Sequence, residues 1–380
     1  MTNILFIGSH PPTRLIKDKN IDSLYRCSET IISGLKARND VTLTVITSPD
    51  IASFPKNDMY FPSFKDDDDT LMVSSLNLPV IKQFWTILSM TIASIRILRR
   101  NNINTIVIIP YMVFRHVVVS RLLKSFFPSK VKTCIIIPDV FFPSTFIQKL
   151  LNRWTETLAV KSDYFVLYTK AMSDYLCINT KPQVVIEGFC DIPISHNPKR
   201  ESTPQIITYA GSLNVKYGIL RLLDAFSKLE TLDVSLHLYG AGDAEILIQE
   251  YEKKDPRIKF WGRVPKDKVS DILKESDILV NPRGPHDGEY VEYSFPSKNI
   301  EYMGTGRPCV FCKLPGMPVD YYPFFINAGD GSTDRLYEAL STCINMTQDE
   351  RNALGKAAHA FITQRMDINY QVQRIMSLFK

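Results

Sequence analysis

The amino-acid sequence predicts an α/β protein made of two consecutive doubly wound domains. Three observations predict it. Strand-length runs of branched apolar residues alternate with helix-length segments, as helix-covered parallel sheets require. The alternation stops at a polar stretch, 195–204, and then starts again. The length of 380 residues suffices for two domains, each with its own core.

The elements follow in order. In the first half, strands are predicted at 4–7, 43–47, 105–109, 133–137, 164–168 and 184–186. Helical patterns lie between them at 28–36, 84–100 and 117–127. After the polar stretch, strands are predicted at 206–210, 234–239, 258–260, 278–281 and 308–311, and helices at 220–229, 266–275, 297–303 and 334–343. These assign 1–195 to a first domain, 205–360 to a second, and 361–380 to a C-terminal helix that packs back on the first. Ligands of doubly wound sheets bind outside the carboxyl ends of the strands, so the expected site is a cleft onto which both sheets open.

Composition excludes several classes. With 45% hydrophobic and 22% charged residues the chain reads as globular. Seven cysteines are scattered, and Cys309 and Cys312 have no second pair to complete a zinc site, so no metal is expected and a reducing compartment is. Residues 1–8 read as a strand running into Gly8, not as a secretory leader. The apolar stretch 81–98 is interrupted by Lys82, Gln83 and Arg96, which suits a buried helix better than a membrane span. The expected location is cytoplasmic. The run Asp66–Asp69 lacks metal-loop spacing and reads as a solvated loop. Net charge is only +5, but residues 81–132 hold nine Lys/Arg and no Asp/Glu. Within that block, 113–130 mixes an apolar stripe with Arg115, Arg121 and Lys124 and ends in Phe126-Phe127. Such a segment can rest on an anionic membrane surface. Nothing suggests nucleic acid.

Two stretches carry chemistry. In Tyr209-Ala-Gly-Ser-Leu-Asn-Val-Lys-Tyr-Gly218 a strand ends, glycine opens a loop and a helix follows. Glycine permits close backbone approach, a helix N-terminus attracts phosphate, and Lys216 adds a mobile charge. Gly240 and Gly242 form a second flexible wall. The second stretch runs from Asn281-Pro-Arg283 to Glu292-Tyr-Ser-Phe-Pro-Ser-Lys-Asn-Ile-Glu301 and on to Val310. Ser297 and Lys298 fall in the first turn of a helix, where a lysine opposes the helix dipole and hints at a bound anion. Glu301, one turn later, can accept hydrogen bonds from a sugar diol.

These stretches resemble glycosyltransferase family 4, retaining transferases of the GT-B fold, which has two Rossmann-like domains. The 211–218 loop is similar to the family's phosphate loop, Trp261-Gly-Arg263-Val264 to its segment beside the nucleobase, and 294–310 to its donor motif, in the form found in bacterial surface-polysaccharide assembly. The resemblance implies that Gly211, Ser212, Lys216 and Gly242 line the donor diphosphate. It implies that Glu301 holds the ribose, that Ser297 and Lys298 line sugar and phosphates, and that Arg263 and Val264 flank the base. In the first domain, Gly8 falls where the family keeps a glycine near the donor, and Asp139 where it often has an acid after histidine. The sequence departs from the pattern at Ser212 (commonly Arg), at Tyr217 (which separates Lys216 from Gly218), at Tyr293 (a glutamate position, with Glu292 beside it) and at Pro138 (commonly His). Arg283 and Lys298 are the cations expected to compensate.

The resemblance thus implies metal-free transfer of a hexose from a nucleoside diphosphate sugar, UDP-linked by default, to a saccharide hydroxyl on a lipid-linked acceptor. Lys216, Lys298, Glu301 and Asp139 are the candidate catalytic residues. Two alternatives stay open: a non-transferring GT-B enzyme such as a nucleotide-sugar 2-epimerase, and an inactive scaffold partner of another transferase. A two-domain sugar-binding protein fits poorly with the 294–301 motif. His10 and His286 lie in loops and carry no ligand-like spacing.

Overall fold

The computed structural model describes residues 1–8, 23–49, 51–66, 69–100, 103–189 and 204–380. His10 and positions 195–203 of the expected linker lie outside them. The chain divides into unit 1, Met1–Glu187 with Ile368–Lys380, and unit 2, Gly188–Asp367.

Unit 1 contains strands β1 (Thr2–Gly8), β2 (Val41–Thr47), β3 (Tyr60–Phe61), β4 (Phe64–Lys65), β5 (Thr70–Met72), β6 (Ser75–Leu76), β7 (Thr105–Pro110), β8 (Val131–Ile137), β9 (Tyr164–Leu167) and β10 (Gln183–Val185). Its main sheet has the order β10-β9-β8-β7-β1-β2-β5-β4, and only the β4–β5 pairing is antiparallel. β3 and β6 form a separate ribbon. Every residue of β7 is buried, as are Ile4 to Gly8 of β1. Central strands covered on both faces need unbroken apolar runs, which is why these two are so legible in sequence.

Helices α1 (Ser23–Lys36), α2 (Ile81–Arg100), α3 (Phe114–Phe126), α4 (Phe146–Ala159) and α5 (Ala171–Tyr175) connect these strands. The last helix of the chain, α12 (Ile368–Ser377), also belongs to unit 1 and packs on α1. Gly34 permits this, because a Cβ there would lie 2.7 Å from Val372 Cγ2. Arg374 donates to the Val185 carbonyl at 2.6 Å, and the Phe379 ring meets Tyr164 edge-on.

The cations of 113–130, expected from sequence to suit an anionic membrane surface, make hydrogen bonds within the fold. Helix α3 packs against both α2 and α4, and its cations serve the fold. Arg115 is only 9% exposed and reaches Gln83 Oε1 at 3.4 Å. Lys124 donates to the Val131 carbonyl (2.8 Å) and lies 3.4 Å from Asp163. Arg121 donates to the Lys161 carbonyl, and Lys130 to that of Leu98. A charge count along the sequence cannot distinguish cations that cap carbonyls from cations that face solvent. Among the described residues no helix is long and apolar enough to cross a membrane.

Unit 2 contains β11 (Gln205–Ala210), β12 (Val234–Tyr239), β13 (Ile258–Gly262), β14 (Ile278–Asn281), β15 (Cys309–Phe311) and β16 (Ile326–Asn327). All five adjacent pairings in the order β13-β12-β11-β14-β15-β16 are parallel. Numbered along the chain this is 3-2-1-4-5-6, the dinucleotide-fold order, whose direction reverses between β11 and β14. Around it lie α6 (Ile219–Ser227), α7 (Glu245–Lys254), α8 (Lys266–Glu275), α9 (Ser297–Gly304), α10 (Thr333–Asn345) and α11 (Gln348–Arg365). Helix α11 runs past residue 361 and stays in unit 2, so α12 alone makes the return to unit 1.

Candidate functional site

The carboxyl ends of β11 and β14 flank the point where the strand order reverses. Two elements meet there: the loop opened by Gly211 and the first turn of α9.

The loop is built by close backbone packing. Gly211 N–H donates to the Tyr239 carbonyl at 2.9 Å, and Leu213 N–H to that of Ala241 at 2.9 Å. A Cβ on Gly240 would lie 1.8 Å from the Gly211 carbonyl oxygen, and one on Gly242 would lie 2.2 Å from that of Leu213. The two glycine-rich strand ends are therefore one layered structure. Asp243 and Asn214 close it, through Asp243 Oδ1 to Val215 N–H (2.7 Å) and Asn214 Oδ1 to Asp243 N–H (3.1 Å).

Helix α9 is pinned to the same strand end. Ala210 N–H donates to Tyr302 Oη at 2.7 Å, and the Tyr302 hydroxyl donates to the Ala210 carbonyl at 3.1 Å. Asn299 accepts from the Asn281 side chain at 2.7 Å, which ties α9 to the end of β14. Behind it α11 closes tightly: a Cβ on Gly355 would lie 1.9 Å from the Gly306 carbonyl oxygen. Tyr302 lies one helical turn after Lys298, so these bonds fix where Lys298 points.

Lys298 points across Gly211. A Cβ on residue 211 would lie 1.8 Å from Lys298 Nζ, and Gly211 has φ +154°. The ammonium also sits 3.9 Å from the centre of the Tyr209 ring. Loss of hydration is the main cause that lowers its pKa; Glu301 opposes the shift and the nearby Arg283 charge adds to it, and together they leave the pKa at about 7. Such a cation is poorly solvated and gains from an added anion.

Arg283 forms the next wall. Its guanidinium lies 4.3 Å from the Tyr290 ring centre and 5.5 Å from that of Tyr217, and it donates to Ser294 Oγ at 3.0 Å. The loop carrying it is held by Arg221, which donates to both carboxylate oxygens of Asp287 (2.6 and 2.7 Å) and to the Gly331 carbonyl (2.7 Å). His286 is exposed on this pinned loop.

The predicted residues thus separate. Gly211, Lys298, Glu301 and Arg283 are brought together. Gly242 supports the loop from beneath. Ser212 is exposed, and its carbonyl accepts from the Tyr209 hydroxyl at 2.8 Å; Ser297 is exposed at the start of α9. Lys216 is exposed on a 3-10 turn over Val215–Tyr217, 5.1 Å from the Tyr217 ring centre. Arg263 (exposed) and Val264 follow β13, two strands from β11. Trp261 beside them stacks on Tyr239, the rings 6.1 Å apart and 8° from parallel. The start of α6, expected to be an open phosphate seat, is crowded. A Cβ on Gly218 would lie 2.5 Å from the Pro282 carbonyl oxygen and 2.7 Å from Arg221. That carbonyl accepts from Arg221 at 3.5 Å, and the Gly211 end is the part of the loop that meets Lys298.

Gly8 and Asp139 belong to unit 1. A Cβ on Gly8 would lie 2.6 Å from Pro110 Cγ, so packing alone accounts for glycine there. Asp139 accepts from the Val140 N–H at 2.9 Å. Tyr209, Tyr302, Tyr290 and the Arg221–Asp287 pair were not expected from sequence. Their only signal was aromatic and charged residues near glycine-rich turns.

Among the described residues no group of three or more His, Cys, Asp or Glu could hold a metal. Cys309 and Cys312 are buried, and burial raises both thiols, Cys312 to about 12. A cavity of about 670 Å³ between α2 and β5 in unit 1 is lined by none of the predicted site residues.

The sheet order, the switch-point site and the two-unit division define a GT-B protein. Residues 204–345 match the profile of the family described as "Glycosyl transferases group 1". The whole chain superposes on solved GT-B structures. HepE from Anabaena in complex with UDP has a TM-score of 0.68 and 16% identity, covering 99% of this chain and 100% of that one. Sucrose-phosphate synthase from Thermosynechococcus elongatus has a TM-score of 0.71 and 14% identity, covering 100% and 98%. The lipopolysaccharide outer core galactosyltransferase WaaB in its apo form has a TM-score of 0.62 and 14% identity, covering 100% and 99%. No curated protein sequence matches significantly. The chain therefore has the GT-B fold, and its second unit carries the match to the group 1 glycosyl transferases.

Proposed function

We propose that unit 2 binds a nucleoside diphosphate hexose where β11 and β14 end, and that the chain transfers the hexose with retention to a hydroxyl of a lipid-linked saccharide. The observation that carries this reading is the Lys298 ammonium seated over Gly211 at the switch point. Glycine leaves the loop backbone bare there, and a half-desolvated cation faces it.

In this reading Lys298 and Arg283 hold the diphosphate, Lys216 adds a mobile charge, and Glu301 accepts from the ribose hydroxyls. Charge accumulates on the leaving diphosphate as the glycosidic bond breaks. Fixed cations aimed at that charge lower the barrier without a metal. Lys298 becomes fully charged when the anion arrives. Asp139 orients an acceptor hydroxyl in unit 1. Uridine is supported by UDP in the HepE structure, and a lipid-linked acceptor by the lipopolysaccharide substrate named for WaaB.

Calorimetric titration with UDP, GDP and UMP tests the reading. A nucleoside diphosphate should bind at least about tenfold more tightly than its monophosphate, since a hydrogen bond to a charged group is worth roughly 1.5–3 kcal/mol. Glu301→Ala should cost about 1–3 kcal/mol of that affinity with the fold intact, and transfer should persist in EDTA. Failure of every nucleotide to bind would remove the transferase reading.

A further inference from the structure

Helix α4 is built inside out. Phe146, Ile147, Leu150, Leu151 and Trp154 share one arc of the helix, and that arc faces solvent, with exposures of 80, 77, 47, 46 and 59%. The side turned to the fold carries Thr155 and Ala159, both buried. Phe141, in the loop that leads into the helix, is also exposed. Single exposed apolar residues are ordinary, but a contiguous arc of this kind marks an interaction surface. The helix is firmly made: Thr145 and Gln148 form a capping box at its start.

The charges select the partner. Lys149 and Arg153 are exposed one turn apart on the border of the apolar arc. Glu156, the helix's single acidic residue, is half-buried and accepts from Asn152 (2.9 Å) and from the Tyr175 hydroxyl (3.1 Å). The fully exposed charges of α4, Lys149 and Arg153, are therefore both positive. An apolar arc with aromatic residues, bordered by long cations, matches a lipid interface with anionic headgroups.

We infer that α4 seats unit 1 on an anionic lipid bilayer, its apolar arc in the acyl boundary and Lys149 and Arg153 among the headgroups. The helix follows β8 and the loop carrying Asp139, so docking would present that strand end to molecules anchored in the lipid. This last link rests on the transferase reading; the docking itself does not.

The test is cosedimentation of the full chain with phosphatidylglycerol–phosphatidylcholine vesicles and with phosphatidylcholine vesicles, without nucleotide or acceptor. The wild type should bind the anionic vesicles. Ile147→Ser with Leu151→Ser should bind at least about tenfold more weakly, because two apolar side chains no longer leave water. Lys149→Glu with Arg153→Glu should lose the preference for anionic lipid and its salt dependence. Both variants alter exposed side chains, and their melting temperatures and UDP affinities should match the wild type. No vesicle binding by the wild type, or undiminished binding by the Ser variant, overturns the inference. So does a dimer in sedimentation velocity that the Ser variant dissociates, since the arc would then be a subunit interface. Loss of UDP binding alone would instead count against the transferase reading.

Discussion

Lys298 occupies the space that a side chain at residue 211 would need: a Cβ there would lie 1.8 Å from the Lys298 ammonium nitrogen. The two residues are far apart in sequence, and each is explained by the other. Gly211 is bare so that α9 can lay a cation across the end of β11, and the cation is partly stripped of water because the strand end lies beneath it.

Gly211→Ala should therefore do two things. The backbone there, at φ +154°, suits glycine and not alanine, which costs roughly 1–3 kcal/mol of stability. The methyl group must also displace the lysine, so UDP affinity should fall by at least about tenfold. Denaturant unfolding and UDP titration of the variant read the two effects separately. Unchanged nucleotide affinity would mean that the diphosphate does not sit at this contact.

Tyr302→Phe removes a hydroxyl that satisfies both backbone groups of Ala210. Leaving a buried N–H and carbonyl unpaired should cost about 1–3 kcal/mol in urea unfolding. UDP binding should weaken as well, because α9 loses the anchor one turn from Lys298. Wild-type stability would show that the strand end finds another partner.

Lys298→Met should stabilise the ligand-free protein while weakening its nucleotide binding. The lysine pKa, lowered to about 7 by loss of hydration, lies below its unfolded value near 10.4. The unfolded chain thus binds the proton more tightly. The resulting penalty is fully present below pH 7 and fades as pH rises from 7 towards about 10.4. Methionine should recover on the order of 2 kcal/mol at pH 6 and progressively less at higher pH, after allowance for partial exposure. Melting curves at pH 6 and pH 9 check this; an equal gain at both would assign the effect to packing.

Much of this arrangement was legible in sequence, and the reasons are physical. Buried parallel strands need continuous branched apolar runs, so β1, β7 and β11 announce themselves. Gly211, Lys298 and Glu301 stand in local motifs whose residue types fit phosphate and sugar chemistry. What depends on packing between distant segments was not legible. Tyr302 meeting Ala210 and Arg221 meeting Asp287 have no local signature. No helix is predicted at α4 from sequence, and the spacing of Phe146, Leu150 and Trp154 does not by itself say that their arc turns outward.

The cations of α3 show the converse. Lys124→Met should destabilise the protein by about 1 kcal/mol, because its ammonium serves the Val131 carbonyl and Asp163. Vesicle binding by this variant should stay at the wild-type level. Wild-type stability combined with lost vesicle binding would return lipid contact to α3.

The central claim is that Lys298 carries the diphosphate, and proton uptake on UDP binding tests it most directly. Free Lys298, with a pKa of about 7, is largely neutral at pH 8. A diphosphate beside it favours the charged form and raises the pKa. Titrations in buffers of different ionisation enthalpy should then show uptake approaching one proton near pH 8 and little near pH 6, with affinity falling as pH rises above 7. Lys298→Met should bind UDP more weakly and take up no proton at pH 8. No proton uptake by the wild type at pH 8, together with an unchanged UDP affinity in the methionine variant, would contradict the account.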